Sequence, residues 1–147
     1  VVEVYDLAEG ANSQLANISS RGFVDTDANA MFGGLIASGA NGSGYARVLV
    51  RARGPSLTGL GIQDALQDPT LELHDANGAI TATNDNWKIN DQTQQPQEAE
   101  VRATTLMPTD DREPTIMATL PPGPGTAIVR GKNNSTGVAT VEVYNLQ

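Results

Sequence analysis

The chain has 147 residues, which fits one domain. It is 39% hydrophobic and 18% charged, and it has no cysteine. This composition predicts a folded globular domain without disulfides, thiol catalysis or cysteine-based zinc sites. The formal net charge of −8 argues against nucleic acid and anionic lipid as partners. No apolar run approaches the ~18 residues of a membrane span, so membrane insertion is not expected.

The two ends of the chain repeat each other. Residues 1–7 read VVEVYDL and residues 140–146 read TVEVYNL. The identical positions in the first stretch are Val2, Glu3, Val4, Tyr5 and Leu7. Identity at most positions of two terminal stretches is not expected by chance, and it indicates that a strand of this type lies at a boundary between modules.

Short alternating apolar runs separated by turn residues dominate the chain, and a period of two predicts β-strands. The predicted strands are residues 1–7, 15–24, 31–38, 47–53, 71–75, 79–83, 115–120, 126–130 and 138–146. Asn77-Gly78 between two such runs predicts a hairpin, and PPGPG at 121–125 predicts a turn. Residues 84–98 read as a long loop, and residues 99–107 as one or two turns of helix. The predicted fold is all-β: a sandwich of jelly-roll or immunoglobulin-like type with about nine short strands.

Three segments resemble a known kind of module. RVLVRARGPSL at 47–57, DPTLELHDANGAITATNDNW at 68–87 and ATLPPGPGTAIVRGKNNSTGVATVEVYNL at 118–146 are similar to a β-module repeated in large secreted bacterial proteins. More distantly, they resemble the pre-peptidase C-terminal domains of secreted hydrolases. The resemblance implies an all-β sandwich, an extracellular location and a non-catalytic role. Sequons at Asn17, Asn41, Asn133 and Asn134 are consistent with secretion.

The sequence offers no constellation typical of an enzyme. His74 is the only histidine, and no motif supplies it with a nucleophile, so we expect a surface or hydrogen-bonded histidine. GPSLTG at 54–59 matches neither a phosphate loop nor a serine elbow and reads as a turn. Trp87, the only tryptophan, is expected to plug the end of the sandwich; the alternative is a sugar-binding ring.

Carboxylates in two loops offer one candidate metal site. If the loops meet at one end of the sandwich, Asp85, Asp111 and Glu113 would supply oxygen ligands for Ca²⁺. The alternatives are local turns and strand caps, or ion pairs with Arg51 or Arg112. The favoured expectation is that the protein has no cofactor.

Two interpretations explain the matching ends. In one, the chain is a repeat cut from a covalent tandem array. In the other, which we favour, residues 1–14 are a donated strand and linker and residues 15–147 are the module. Val2, Val4, Tyr5 and Leu7 then form an inter-module strand that adds to a neighbour's sheet.

The predicted function is therefore a non-catalytic structural subunit of an extracellular bacterial filament or surface protein, a head-to-tail homopolymer. The alternative is an accessory carbohydrate- or calcium-binding module of a secreted protein.

Overall fold

The computed structural model describes residues 16–38 and 44–146. In chain order the strands are β1 (Asn17–Val24), β2 (Met31–Ala37), β3 (Ala46–Arg53), β4 (Pro69–His74), β5 (Ile80–Asn84), β6 (Ile89–Asn90), β7 (Gln95–Pro96), β8 (Thr115–Leu120), β9 (Gly123–Gly131) and β10 (Gly137–Asn145). The helix α1 (Glu98–Ala103) and short 3-10 helices at Asp27–Asn29, Pro55–Leu60 and Lys132–Asn134 complete the described elements.

Two antiparallel sheets of four strands pack face to face. The first sheet has the order β1-β10-β3-β8 and the second has the order β2-β9-β4-β5. The minor strands β6 and β7 pair with each other. The prediction of an all-β sandwich with one short helix is confirmed.

The core lies between the sheets because alternate residues of each strand point inward. Leu71 and Leu73 of β4 are each 1% exposed, and Val141 and Val143 of β10 belong to the same buried cluster. Burying a side chain of this kind stabilises the fold by about 1.5–3 kcal/mol. The hydrophobic alternation read from the sequence therefore corresponds to the faces of the two sheets.

Two local predictions need correction. The turn predicted at 121–125 is shorter, because β9 already begins at Gly123, where it pairs with Ala37 of β2. The loop predicted at 84–98 contains β6 and β7. In both cases the local composition favours a turn or loop, but strand pairing prevails: β9 pairs with the distant strand β2, and β6 pairs with the nearby strand β7.

The chain's own β10 lies between β1 and β3 and is hydrogen-bonded to both. The predicted strand at residues 1–7 and the predicted linker at residues 8–14 lie outside the described residues. Among the described elements, no helix has the length and apolarity needed to cross a bilayer.

Candidate functional site

One side of the sandwich, where β5 and β8 are the outermost strands, is braced by polar side chains; we call it the closed side. Asn84 Oδ1 accepts a hydrogen bond of 2.8 Å from the Thr115 amide, and Asn84 Nδ2 donates one of 2.7 Å to the Ile89 carbonyl. Gln97 Nε2 donates to the carbonyls of Trp87 and Thr115 at 2.8 and 3.0 Å. These bonds tie the second sheet and the segment after it to the edge of β8.

Trp87 is packed into this closed side. It is 2% exposed, and the cationic groups of Lys88 and Arg102 lie 5.5 and 5.2 Å from its ring centroid. The prediction that Trp87 is a packed side chain is confirmed by its burial; it is packed on the closed side. Because the ring is buried, it offers no flat surface on which a sugar could stack.

The opposite side is open. There β1 pairs only with β10, and β2 only with β9, within the part of the chain that the structure describes. Each strand therefore presents a row of backbone N–H and C=O groups along its outer edge. Such an edge is a template for the addition of another strand.

The residues of β2 itself do not include those that usually protect an edge strand. Its sequence, MFGGLIA, contains no charge and no proline, the devices that normally keep an edge strand from pairing with another chain. On its outer face Phe32 is 54% exposed and Ile36 is 74% exposed. Between them Gly34 leaves open space where a side chain would stand.

The two sheets are offset at the open side. Gly33 of β2 packs on Val141 of β10, so closely that a Cβ at Gly33 would lie 3.1 Å from its methyl groups. Thus β2 lies over β10 here. The core-side residues Ile18 and Ser20 are both exposed, from which we infer that the first half of β1 overhangs the second sheet. Ile18 is paired with Val143 and belongs to the core side of β1, yet it is 36% exposed. Among the described residues, the overhang leaves the apolar side chain of Ile18 partly exposed.

The predicted inter-module residues Val2, Val4, Tyr5 and Leu7 lie outside the described residues. Their matching residues near the C-terminus lie on β10, where Val141 and Val143 are buried in the core and Glu142 is 5% exposed. This sequence type therefore forms an interior strand in the folded module. The apolar edge residues Phe32 and Ile36 were not predicted, although the uncharged run MFGGLIA signals them.

Each of the three carboxylates considered for Ca²⁺ has its own partner. Asp85 lies 2.5 Å from the Lys132 ammonium, whose pKa it raises through a hydrogen bond and its charge. Asp111 lies 2.8 Å from the Lys88 ammonium. Across the described ranges, no group of three or more acidic or histidine side chains is arranged to hold a metal ion.

Glu113 is fully buried and has a structural contact. Its Oε1 accepts hydrogen bonds of 3.0 Å from the amides of Gly54 and Ser56, at the start of the 3-10 helix Pro55–Leu60. A Cβ at Gly54 would lie 2.1 Å from the Leu66 carbonyl oxygen, so this close approach requires glycine. The GPS sequence thus forms a turn held by a distant carboxylate, which local sequence does not reveal.

The arginines named as alternative partners bind other acids. Arg51 Nε lies 2.6 Å from Glu142 Oε2 on the outer face of the first sheet, and Arg51 also donates to the Leu106 carbonyl. Arg112 forms its ion pair with Asp110 at 2.9 Å, which lowers the pKa of that carboxyl.

His74 lies on the outer face of the second sheet with both ring nitrogens engaged. Nδ1 is 3.0 Å from the Gly78 carbonyl oxygen and Nε2 is 2.9 Å from Glu72 Oε2. These two acceptors, the carbonyl first, raise the pKa of His74 above its usual 6.5. The prediction of a hydrogen-bonded surface histidine is confirmed.

No protein-family model matches this chain, and no curated protein matches it. The chain is similar in structure to the pre-peptidase C-terminal domain of the collagenase from Bacillus anthracis, with a TM-score of 0.50. The fold is similar to that of a pre-peptidase C-terminal domain. The similarity covers 87% of this chain and 89% of that domain at 11% sequence identity, a level at which the fold alone is shared.

Proposed function

We propose that the chain is a non-catalytic structural module of a secreted bacterial filament or surface protein. Copies join head to tail when residues 1–7 of one module add as a strand to a sheet of the next. The observation that carries this proposal is the asymmetry of the sandwich: one side is braced by Asn84 and Gln97, while the other presents partly apolar edges that have no partner strand among the described residues.

Strand addition supplies enough free energy for a reversible assembly. Each new main-chain hydrogen bond contributes about 0.5–1.5 kcal/mol, and each buried Val or Leu side chain about 1.5–3 kcal/mol. Association costs roughly 4–15 kcal/mol in lost freedom of motion. Added together, these two favourable contributions and the cost of association predict an assembly that depends on protein concentration. Because donor and acceptor are different surfaces, the contact repeats without closing and runs on into a filament.

Two observations support the non-catalytic and extracellular parts of the proposal. The ring nitrogens of the single histidine are both held by Gly78 and Glu72, which leaves neither free to serve a nucleophile. One structural neighbour is a domain of a bacterial collagenase, and by its fold this chain fits the same kind of appended module. The accessory carbohydrate- or calcium-binding alternative loses its support, because Trp87 is buried and Asp85 and Asp111 are paired with separate lysines.

The test is the size of the 147-residue chain in solution, by sedimentation velocity over a range of concentrations, with negative-stain microscopy. We expect assemblies that grow with concentration. Deletion of residues 1–7, or Val4→Asp, should give folded monomers, because the described core is built from later residues and a carboxylate would have to be buried unpaired in the neighbour. Circular dichroism checks that both variants keep the β-sandwich.

Two results would overturn the proposal. A wild-type chain that stays monomeric at all concentrations would favour the covalent tandem interpretation, in which residues 1–7 end the preceding module. A deletion variant that unfolds would show that residues 1–7 belong to their own domain's sheet.

A further inference from the structure

We infer that the acceptor for the donated strand is the outer edge of β2, and that its occupant is residues 1–7 of a second copy of this chain. The inference rests on the proposed function and adds to it the place where the modules meet. It commits to one of the four outermost strands of the described sandwich: β1 and β8 in the first sheet, β2 and β5 in the second.

The edges on the closed side are already engaged. On β5, Gln92 Nε2 donates to the carbonyl and the hydroxyl of Thr83 at 3.1 and 3.2 Å. On β8, the amide and carbonyl of Thr115 bond to Asn84 and Gln97. A strand added at either place would have to displace these side chains. The open side has no such side-chain bonds to β2 among the described residues.

Between the two open edges, the offset of the sheets favours β2. A strand added to β1 would lengthen the overhang, and its inward side chains would have no sheet opposite them. A strand added to β2 would lie opposite the uncovered half of β1. Its inward residues Val2 and Val4 would then cover Ile18, which is 36% exposed on the core side, and complete the core there. The charge of Arg21 on β1 also protects that edge.

The outer face of β2 is apolar, and so are two of the residues that the donated strand would place on the same face of the sheet. With Val2 and Val4 inward, alternation places Tyr5 and Leu7 outward, in the row beside Phe32 and Ile36. Aromatic and branched apolar side chains on neighbouring strands stabilise a sheet through such cross-strand contacts. The open space at Gly34 leaves room for the Tyr5 ring between them.

The first experiment places a charge on each of two exposed edge residues. Ile36→Lys should weaken assembly at least tenfold, because the lysine lies beside the donated strand and Lys is a natural edge protector. The matched control is Ile80→Lys on β5, since Ile36 and Ile80 are 74% and 57% exposed and neither supports the core. Sedimentation velocity measures the apparent dissociation constant. Equal assembly of wild type and Ile36→Lys would overturn the choice of β2.

The second experiment uses the absence of native cysteine. A copy with Tyr5→Cys is mixed under oxidising conditions with a copy of different mass that carries Phe32→Cys or Ile36→Cys. We expect a disulfide-linked heterodimer with these β2 variants. Phe23→Cys on β1 and Ile80→Cys on β5 are the controls, and we expect these variants to yield little disulfide-linked heterodimer.

The outcomes separate this inference from the proposed function. Assembly with crosslinks at Phe23 or Ile80 instead of β2 would leave strand addition standing and move the acceptor to another edge. A chain carrying both Tyr5→Cys and Phe32→Cys that closes a disulfide within one molecule, as a monomer, would show that residues 1–7 add to their own β2. Failure of the wild-type chain to assemble at all would remove the proposed function itself.

Discussion

Glu113 shows how a single buried residue fixes the path of the chain after β3. Its carboxylate accepts from two amides at the start of the 3-10 helix Pro55–Leu60, and its own backbone carbonyl accepts from the Trp87 amide. One residue thus joins three segments that are far apart in sequence. Buried N–H groups need such acceptors, because water cannot replace them.

Removing this carboxylate should be costly. We expect Glu113→Ala to lower the free energy of unfolding by about 2–6 kcal/mol, since the amides of Gly54 and Ser56 lose their acceptor at roughly 1–3 kcal/mol each. The control is Asp111→Ala, two residues earlier, whose exposed ion pair with Lys88 should contribute less than about 1 kcal/mol. Urea denaturation measures both. Similar losses for the two variants would contradict a special role for Glu113.

At the scale of elements, the β4–β5 hairpin combines a tight turn with a titratable side chain, His74, that forms hydrogen bonds across it. Asp75 Oδ1 accepts from the amides of Asn77 and Ala79 at 2.8 and 2.9 Å, and Gly78 adopts a φ of 81°, which glycine tolerates best. The register shifts between Leu73 and His74. The His74 ring then lies across the turn, against the Gly78 carbonyl.

The stability of this hairpin should depend on pH. The pKa of His74 is raised in the folded state, by the Gly78 carbonyl and then by Glu72. The protonated ring therefore stabilises the fold fully below about pH 6.5, its usual pKa, and this contribution is lost as pH rises through the higher folded value. The free energy of unfolding of wild type minus that of His74→Gln should fall over this range.

The single histidine allows a direct check by NMR titration of its ring protons. We expect an apparent pKa above 6.5 in the wild type and a lower value in Glu72→Gln, which loses the negative partner. A wild-type pKa at or below 6.5 would show that the hydrogen bonds of His74 to Gly78 and Glu72 do not form in solution.

At the scale of the whole molecule, the excess of acidic side chains does not produce a metal site in the described part. Asp85 and Asp111 are held by Lys132 and Lys88, and Glu113 faces backbone amides in the interior. The charge is distributed among separate pairs. Because these carboxylates are engaged separately, we expect the acidic composition to influence solubility rather than cation binding.

Chelation tests this view. We expect EDTA to leave the melting temperature unchanged, and added Ca²⁺ to leave it unchanged as well, because a bound ion would otherwise stabilise the fold through binding linkage. Differential scanning calorimetry of the full chain in both buffers measures this. A melting temperature that falls with EDTA and recovers with Ca²⁺ would restore the predicted calcium site.

The sequence by itself determined the eight strands of the two main sheets, their inward faces and the β4–β5 hairpin, because alternation and the Asn77-Gly78 turn are local properties. It also indicated that residues 1–7 form a strand of the β10 type. Only the tertiary structure decided which strands are outermost, since the order of strands in a sheet depends on long-range pairing. The exposure of Ile18, the position of β2 at an edge and the buried partners of Glu113 depend on this long-range arrangement, which no short stretch of sequence encodes.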